Sequence, residues 1–227
     1  MIWLLVIGFV VYSIAFSAAR TAWLKLWRDT SKRPASCGLT GSEVARQLLA
    51  DTDKPQVRVQ RGRAWDWAHY SERTQKIVLG PDVHDGTSIG AVLLAAWAVS
   101  QMHIPPEVKE QWAWRRFVTG FMHPMLGILL VGIAASLIFF APFWKALFML
   151  WLLSALALLI GHICTLSVEY RIGSQALKLL HQRGWIAAYE RDSYEEFRKG
   201  AALRDVQGVG AALSRVLRAL LPFAAWR

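Results

Sequence analysis

Metal binding is the first chemistry that the spacing of histidine and acidic residues in this chain could support. The six histidines are His69, His84, His103, His123, His162 and His181. His103 and Glu107 have the i,i+4 spacing that places two ligands on one helix face, but the two prolines that separate them break a helix. His162 and Glu169 lie seven residues apart, near one face of a helix. Neither pair completes a metal site.

Other catalytic patterns are weaker. No Ser-His-Asp or Cys-His spacing rises above chance, and the chain has no glycine-rich phosphate loop. The cysteines, Cys37 and Cys164, are not in a C-x-x-C pair, so neither a metal knuckle nor a disulfide is expected. The net charge of +10 could suggest nucleic acid, but no compact basic stripe with interleaved aromatic residues is present. We expect membrane lipids to be the partner of these charges, and no nucleic acid.

Long stretches without charge favour a membrane protein. Of the 227 residues, 55% are hydrophobic. A bilayer core of about 30 Å needs about 20 apolar residues of helix, and three stretches without Asp, Glu, Lys or Arg are long enough: 1–19, 117–144 and 146–168. If spans lie only there, 25 of the 26 basic residues fall on one side, as the positive-inside rule favours. Residues 86–106 also lack charge, but we expect them to form a buried or half-buried helix.

Local patterns predict the elements of a polar region. Thr40 and Glu43 have the spacing of a helix capping box, with the helix running to about residue 50. Residues 57–60 and 76–79 alternate or are β-branched and predict short strands, whereas 61–70 read as irregular. Ser88 is placed to cap the long apolar helix that Pro105 and Pro106 end. Beyond the apolar hairpin, residues 168–182 and 191–202 predict two further helices, and Gly184 ends the first.

Several landmarks together resemble the bacterial membrane-bound neutral zinc metallopeptidases, the YugP-like group. Residues 36–46, Ser-Cys-Gly-Leu-Thr-Gly-Ser-Glu-Val-Ala-Arg, are similar to that family's small-x-G-x-T-G-x-E-V-A-R segment. His69 and Tyr70 precede a strand as in the family's H-Y-D-P region. Residues 85–96 lead into Ala-Ala, where the family continues A-A-H-E-V-G-H. Residues 165–180 resemble T-L-P-V-E-F-D-A-S-x-x-A-L-K-L-L. The resemblance covers about residues 1 to 205.

The departures from this family pattern concern the catalytic residues. By position, the two zinc-binding imidazoles of H-E-x-x-H become Trp97 and Gln101, and the catalytic Glu becomes Ala98. Only the presumed third ligand is kept, as Glu169. An indole offers zinc no lone pair, and alanine cannot act as a general base. The resemblance therefore implies a homologue without catalytic residues, without zinc and without peptidase activity.

Trp97 and Gln101 lie four residues apart, so they share a helix face. We expect the Trp97 ring to fill the metal cavity and the Gln101 amide to donate to Glu169, with Arg115 or Arg116 as the alternative partner of that carboxylate. His69 and Tyr70 would lie near the former substrate cleft. An exposed loop with two tryptophans, Trp65 and Trp67, could be a partner-binding surface, or it could lie on the membrane.

These observations predict a mostly α membrane protein with three transmembrane helices, or four if 208–226 also spans, and a small cytoplasmic zincin-like α+β domain. The N-terminus would lie outside the bacterial cytoplasmic (inner) membrane and the main domain inside. The predicted segments are an N-terminal signal-anchor helix, a degenerate peptidase-like domain, a transmembrane hairpin and C-terminal amphipathic helices: 1–19, 20–119, 120–167 and 168–227.

The predicted function is that of a pseudopeptidase, a non-catalytic subunit or adaptor of a membrane protein assembly. Its partner would be another integral membrane protein or an active paralogue. Two alternatives remain open. One is an active zinc peptidase with a non-standard ligand set, which would use residues such as His69, His84 or His103. The other is a structural or lipid-organising membrane protein, which would tolerate changes at Trp97 and Gln101.

Overall fold

Helices make up most of the chain. The computed structural model of the protein describes residues 2–52, 56–63, 67–104, 106–139 and 143–201. Seven α-helices are seen in these residues: α1 (Ile2–Ser31), α2 (Gly41–Ala50), α3 (Pro81–His84), α4 (Ile89–Ser100), α5 (Pro106–Phe139), α6 (Trp144–Gln182) and α7 (Arg191–Ala201). Short 3₁₀ turns, Gln101–His103 and Ala188–Glu190, follow α4 and precede α7.

The capping box predicted for α2 is confirmed. The Thr40 hydroxyl accepts a hydrogen bond from the Glu43 backbone N–H at 3.3 Å, and the Glu43 carboxylate accepts one from the Thr40 backbone N–H at 2.8 Å. This second bond is the main reason why the pKa of the exposed Glu43 carboxyl is lowered. Because two otherwise unpaired donors are satisfied, α2 begins at a fixed residue and directs Val44, Ala45 and Leu48 into the core.

Three short strands form one sheet. These are β1 (Arg58–Arg61), β2 (Ala68–Ser71) and β3 (Lys76–Leu79), in the order β1-β3-β2, with β1 parallel and β2 antiparallel to β3. The strands predicted at 57–60 and 76–79 are confirmed to within one residue. The prediction of irregular structure over 61–70 was wrong, because Ala68, His69 and Tyr70 pair with β3.

Helix α4 is the central element of the core. Ser88 caps it by accepting a hydrogen bond from the Ala91 backbone N–H, as predicted. Every residue of α4 is buried, because α2, α3, α7 and β2 all pack against it. A helix that is apolar all round is stable only when it is covered on all sides. The prediction that 86–106 contains a buried helix is therefore confirmed.

The prediction of three transmembrane helices was wrong. Among the described residues, no single helix is long and apolar enough to cross a membrane. One sharply bent pair of helices, Ile89–His103 and Pro106–Trp114, is long and apolar enough only when both are counted together. The fold is thus corrected to an α-rich one with a small three-stranded sheet.

The chain divides into two compact units. One comprises the described parts of residues 1–22 and 110–166, in which Leu126 and Leu129 of α5 pack with Trp151, Ala155 and Leu158 of α6. The other comprises residues 23–109 and 167–202. It contains the sheet, α2, α3, α4 and α7, and with them Trp97, Gln101, Glu169 and Gly173.

Candidate functional site

The three residues at the positions matched to the peptidase motif lie in and just after α4. Trp97 and Ala98 are completely buried, and Gln101, in the 3₁₀ turn that continues the helix, is 5% exposed. Trp97 and Gln101 share one helix face because they are four residues apart. The site is therefore part of the packed core, where every side chain has close neighbours.

The Trp97 indole lies against α6 at Gly173. A Cβ atom built on Gly173 would be 2.7 Å from two carbons of the ring, Cζ3 and Cη2. Real Cβ atoms do not approach other atoms so closely, so the ring can occupy this place only because residue 173 has no side chain. The family segment quoted above has Ser at this position. Trp97 and Gly173 thus fit each other as a large and small pair.

Glu169 lies one turn before Gly173 on α6, so both face the same side of the helix. Its side chain is completely buried, which places a carboxylate in the interior beside α4. Sequence reasoning identified Glu169 and Trp97 but missed Gly173. The signal was present, because a glycine inside a helix costs about 0.5–1 kcal/mol relative to alanine and so calls for a packing reason.

Gln101 connects the site to the sheet. Its side-chain oxygen accepts a hydrogen bond from the backbone N–H of Tyr70 at 2.8 Å. Of the two ends of the Gln101 amide, only the oxygen can accept a hydrogen bond from an N–H. This bond therefore fixes the orientation of the amide, with its NH₂ group on the other side. The predicted donation from that group to Glu169 stays a prediction. Tyr70 belongs to β2, an edge strand, so Gln101 satisfies a backbone donor on the side away from β3.

Removal of this amide should weaken the contact between the sheet and the 3₁₀ turn. We expect Gln101→Leu to lower the free energy of unfolding by about 1–2 kcal/mol, because a largely buried N–H loses its acceptor. The Tyr70 amide should also exchange with solvent faster, as measured by hydrogen exchange. Gln47→Leu, an exposed position on α2, is the matched control. Unchanged protection of the Tyr70 amide in Gln101→Leu would contradict this role.

His69 and Tyr70 are adjacent on β2 and therefore point to opposite faces of the sheet. His69 is exposed, whereas Tyr70 is half-buried and its hydroxyl donates to Gln75 Oε1 at 2.9 Å. The structure thus brings Tyr70 to Gln101 through its backbone. The predicted cleft role of these two residues stays a prediction.

Only one of the two tryptophans of the predicted loop belongs to the residues that the structure describes. Trp65 lies outside the described residues. Trp67 is half-buried and packs edge-on against Trp23 and Trp27, with ring centroids 5.2 and 5.0 Å apart. Phe197 of α7 lies 5.5 Å from Trp23. Offset and edge-to-face pairs at these distances are stabilising, so Trp67 contributes to the packing of this unit.

His69, His84 and His103, the histidines of the alternative metal site, do not belong to a metal-binding group in the described part of the chain. Within the described ranges, no three His, Cys, Asp or Glu residues form a group that could hold a metal ion. His84 instead bonds to Asp85, which is also paired with Arg61 at 2.9 Å. The His84 hydrogen bond, with Arg61 adding to it, lowers the pKa of the Asp85 carboxyl. The side chains of Arg115, Arg116, His123 and His162 are not among those described.

The donor set around Trp97 does not fit zinc. Indole has no lone pair in its plane, alanine has no donor, and the Gln101 oxygen is engaged by Tyr70. Glu169 alone would offer one carboxylate, whereas structural and catalytic zinc ions take three or four protein ligands. No step of a zinc-dependent reaction can therefore be derived from these residues.

The comparisons with known proteins gave one match. A family model described as putative neutral zinc metallopeptidase matches residues 2–224. No curated protein and no solved structure matches significantly.

Proposed function

The chain belongs to the neutral zinc metallopeptidase family, and we propose that this member does not cleave peptides but acts by binding, as a subunit or adaptor of a protein assembly. The observation that carries the proposal is the contact between Trp97 and Gly173. The resemblance matches Trp97 to a zinc-binding histidine, and the structure gives its ring a close fit against α6. A bound metal ion would need open space at this position. The contact between Trp97 and Gly173 supports a core that is packed there instead.

The neighbouring positions support the same proposal. Ala98, matched to the catalytic Glu, is completely buried and cannot take a proton from water. General-base catalysis alone contributes about 100- to 10,000-fold. Gln101, matched to the second histidine, holds the edge strand through Tyr70. Each of the three positions thus has a residue that suits packing or structure.

Zinc content tests the loss of the metal site. We expect the chain, purified without chelator and without a histidine tag, to hold less than about one zinc per ten chains, because the ligands that couple metal binding to folding are missing. Elemental mass spectrometry gives this value directly. A variant with Trp97→His, Ala98→Glu, Gln101→His and Gly173→Ser is the control and should hold at least several times more zinc.

About one zinc per native chain would overturn the proposal and favour the active peptidase with a different ligand set. In that case Ala substitutions at His69, His84 and His103 would identify the ligands. Peptide-library cleavage by the native chain would have the same meaning, provided that metal removal abolished it.

The binding role has its own test. His69 is exposed on the edge strand, so a photo-crosslinking amino acid placed there should capture a partner in the native host. The same amino acid at Gln47, exposed on α2 in the same unit, is the control. A defined crosslinked protein at His69 and none at Gln47 is the expected result, and no crosslink at either position would count against an adaptor. Whether that partner is an active paralogue, and whether the chain resides at the inner membrane, stay predictions.

A further inference from the structure

A groove away from Trp97 has the size of a ligand site. It has a volume of about 720 Å³ and lies between the C-terminal part of α6 and the segment that leads into α7. Ligand clefts commonly have volumes of about 300–1,000 Å³. One part of its wall is aliphatic, formed by Leu177 on α6 and by Ile186, Ala187 and Ala188 before α7, and the other lining residues are polar, charged or aromatic. This aliphatic part offers a surface against which an alkyl chain can pack.

The charges at the groove are predominantly positive. Lys178, His181 and Arg191 line it together with one acidic residue, Glu195. Glu195 is already paired with Arg198 at 2.8 Å. Lys178 and Arg191, in contrast, form no ion pair with any residue that the structure describes. Two cations without a carboxylate partner therefore stand at the edge of an apolar groove.

The buried carboxylate that precedes Arg191 in the chain, Glu190, does not neutralise these cations. Glu190 is buried and accepts hydrogen bonds from the Ser36 backbone N–H at 2.7 Å, the Ser36 hydroxyl at 2.6 Å and the Ala187 backbone N–H at 3.1 Å. These bonds engage both carboxylate oxygens. Charge complementarity at the groove thus favours an anion from outside the chain.

Tyr194 lies in the wall of the groove. The residue lines the groove and is completely buried, and its hydroxyl has no hydrogen-bond partner among the residues that the structure describes. Burial raises the pKa of the Tyr194 phenol, so the group stays a proton donor at neutral pH. A buried donor without an acceptor costs about 1–3 kcal/mol. Because the hydroxyl has no accessible surface, it does not contact a molecule bound in the groove, and Tyr194 contributes only to the wall.

We propose that this groove binds a single-chain fatty acid, with the alkyl chain against Leu177 and Ile186 and the carboxylate between Lys178 and Arg191. The inference does not depend on the loss of peptidase activity, because none of these residues belongs to the Trp97 site. The site would give the chain a ligand-binding function of its own.

Calorimetric titration of the full chain with dodecanoate, below its micelle concentration and without anionic detergent, tests the proposal. Saturable binding at one site is expected, with the Kd rising at least tenfold in Lys178→Ala/Arg191→Ala. The Kd should also rise with added salt, because exposed charge pairs are screened. Arg28→Ala/Lys199→Ala removes the same charge at exposed positions outside the groove and should leave the Kd within twofold of wild type.

Two further arms separate a specific site from general adsorption. Leu177→Trp, which fills the groove, should abolish binding while circular dichroism shows an unchanged fold. Dodecyltrimethylammonium, with the same alkyl chain and the opposite charge, should bind at least tenfold more weakly than dodecanoate. Equal affinity for the two amphiphiles, or equal loss of binding in both double variants, would overturn the proposal.

Discussion

Trp97→Ala should destabilise the protein more than any other substitution proposed for it, by about 3–5 kcal/mol. The side chain is completely buried, so its removal loses the transfer free energy of a large ring and leaves a cavity beside α6. The measurement is the free energy of unfolding from denaturant titrations, followed by circular dichroism. Under the alternative of a lipid-organising protein, the same change would be tolerated.

A suitable control for this variant is Trp114→Ala. Trp114 is 56% exposed, and substitutions at exposed positions usually change stability by no more than about 0.5 kcal/mol. A loss below about 1 kcal/mol in Trp97→Ala, comparable to the control, would mean that the indole is not held in the core. The central observation behind the proposed function would then be lost.

Gly173→Ala is the second large effect that we expect. In a helix, Gly→Ala alone stabilises by about 0.5–1 kcal/mol, but here the new Cβ would meet the Trp97 ring at 2.7 Å. Overpacking of this kind costs about 1–3 kcal/mol. The ring cannot move away, because it is enclosed on all sides. The net result should be a less stable protein.

Gly132→Ala is the matched control, because a Cβ on Gly132 would lie 3.7 Å from Leu147 Cδ1, an ordinary van der Waals contact. The helix-propensity contribution is common to both variants, so their difference of about 1–3 kcal/mol isolates the clash. Combination of Gly173→Ala with Trp97→Ala should remove the penalty, which gives a coupling energy in a double-mutant cycle. Strict additivity of the two changes would show that residues 97 and 173 do not contact each other.

Much of the local structure could be predicted from the sequence because its causes are local. The capping box of α2 depends on Thr40 and Glu43, three residues apart, and both of its bonds are present. Ser88 and the apolar run after it similarly predicted α4 and its burial. The family was also predicted from short segments in the right order, and the match over residues 2–224 confirms it.

The prediction of membrane spans was wrong, because no single helix among the described residues is long and apolar enough to cross a membrane. Stretches without charge measure composition, and composition alone does not distinguish a span from another apolar helix. Hydropathy alone would also have made residues 86–106 a span. The charge distribution was needed to predict a buried helix there instead. Strand β2 was missed for a related reason. Its four residues carry little strand signal of their own, and their extended conformation is stabilised by hydrogen bonds to β3 and by Gln101.

The sequence by itself, through its resemblance to the family, supplied the prediction that Trp97, Ala98 and Gln101 stand at the peptidase motif positions, where such side chains would not form a zinc site; that assignment stays a prediction. Only the tertiary structure decided what those residues do instead. The contact of Trp97 with Gly173 and the bond of Gln101 to Tyr70 join residues far apart in the chain. Such contacts follow from how helices and strands pack, and no local pattern specifies them.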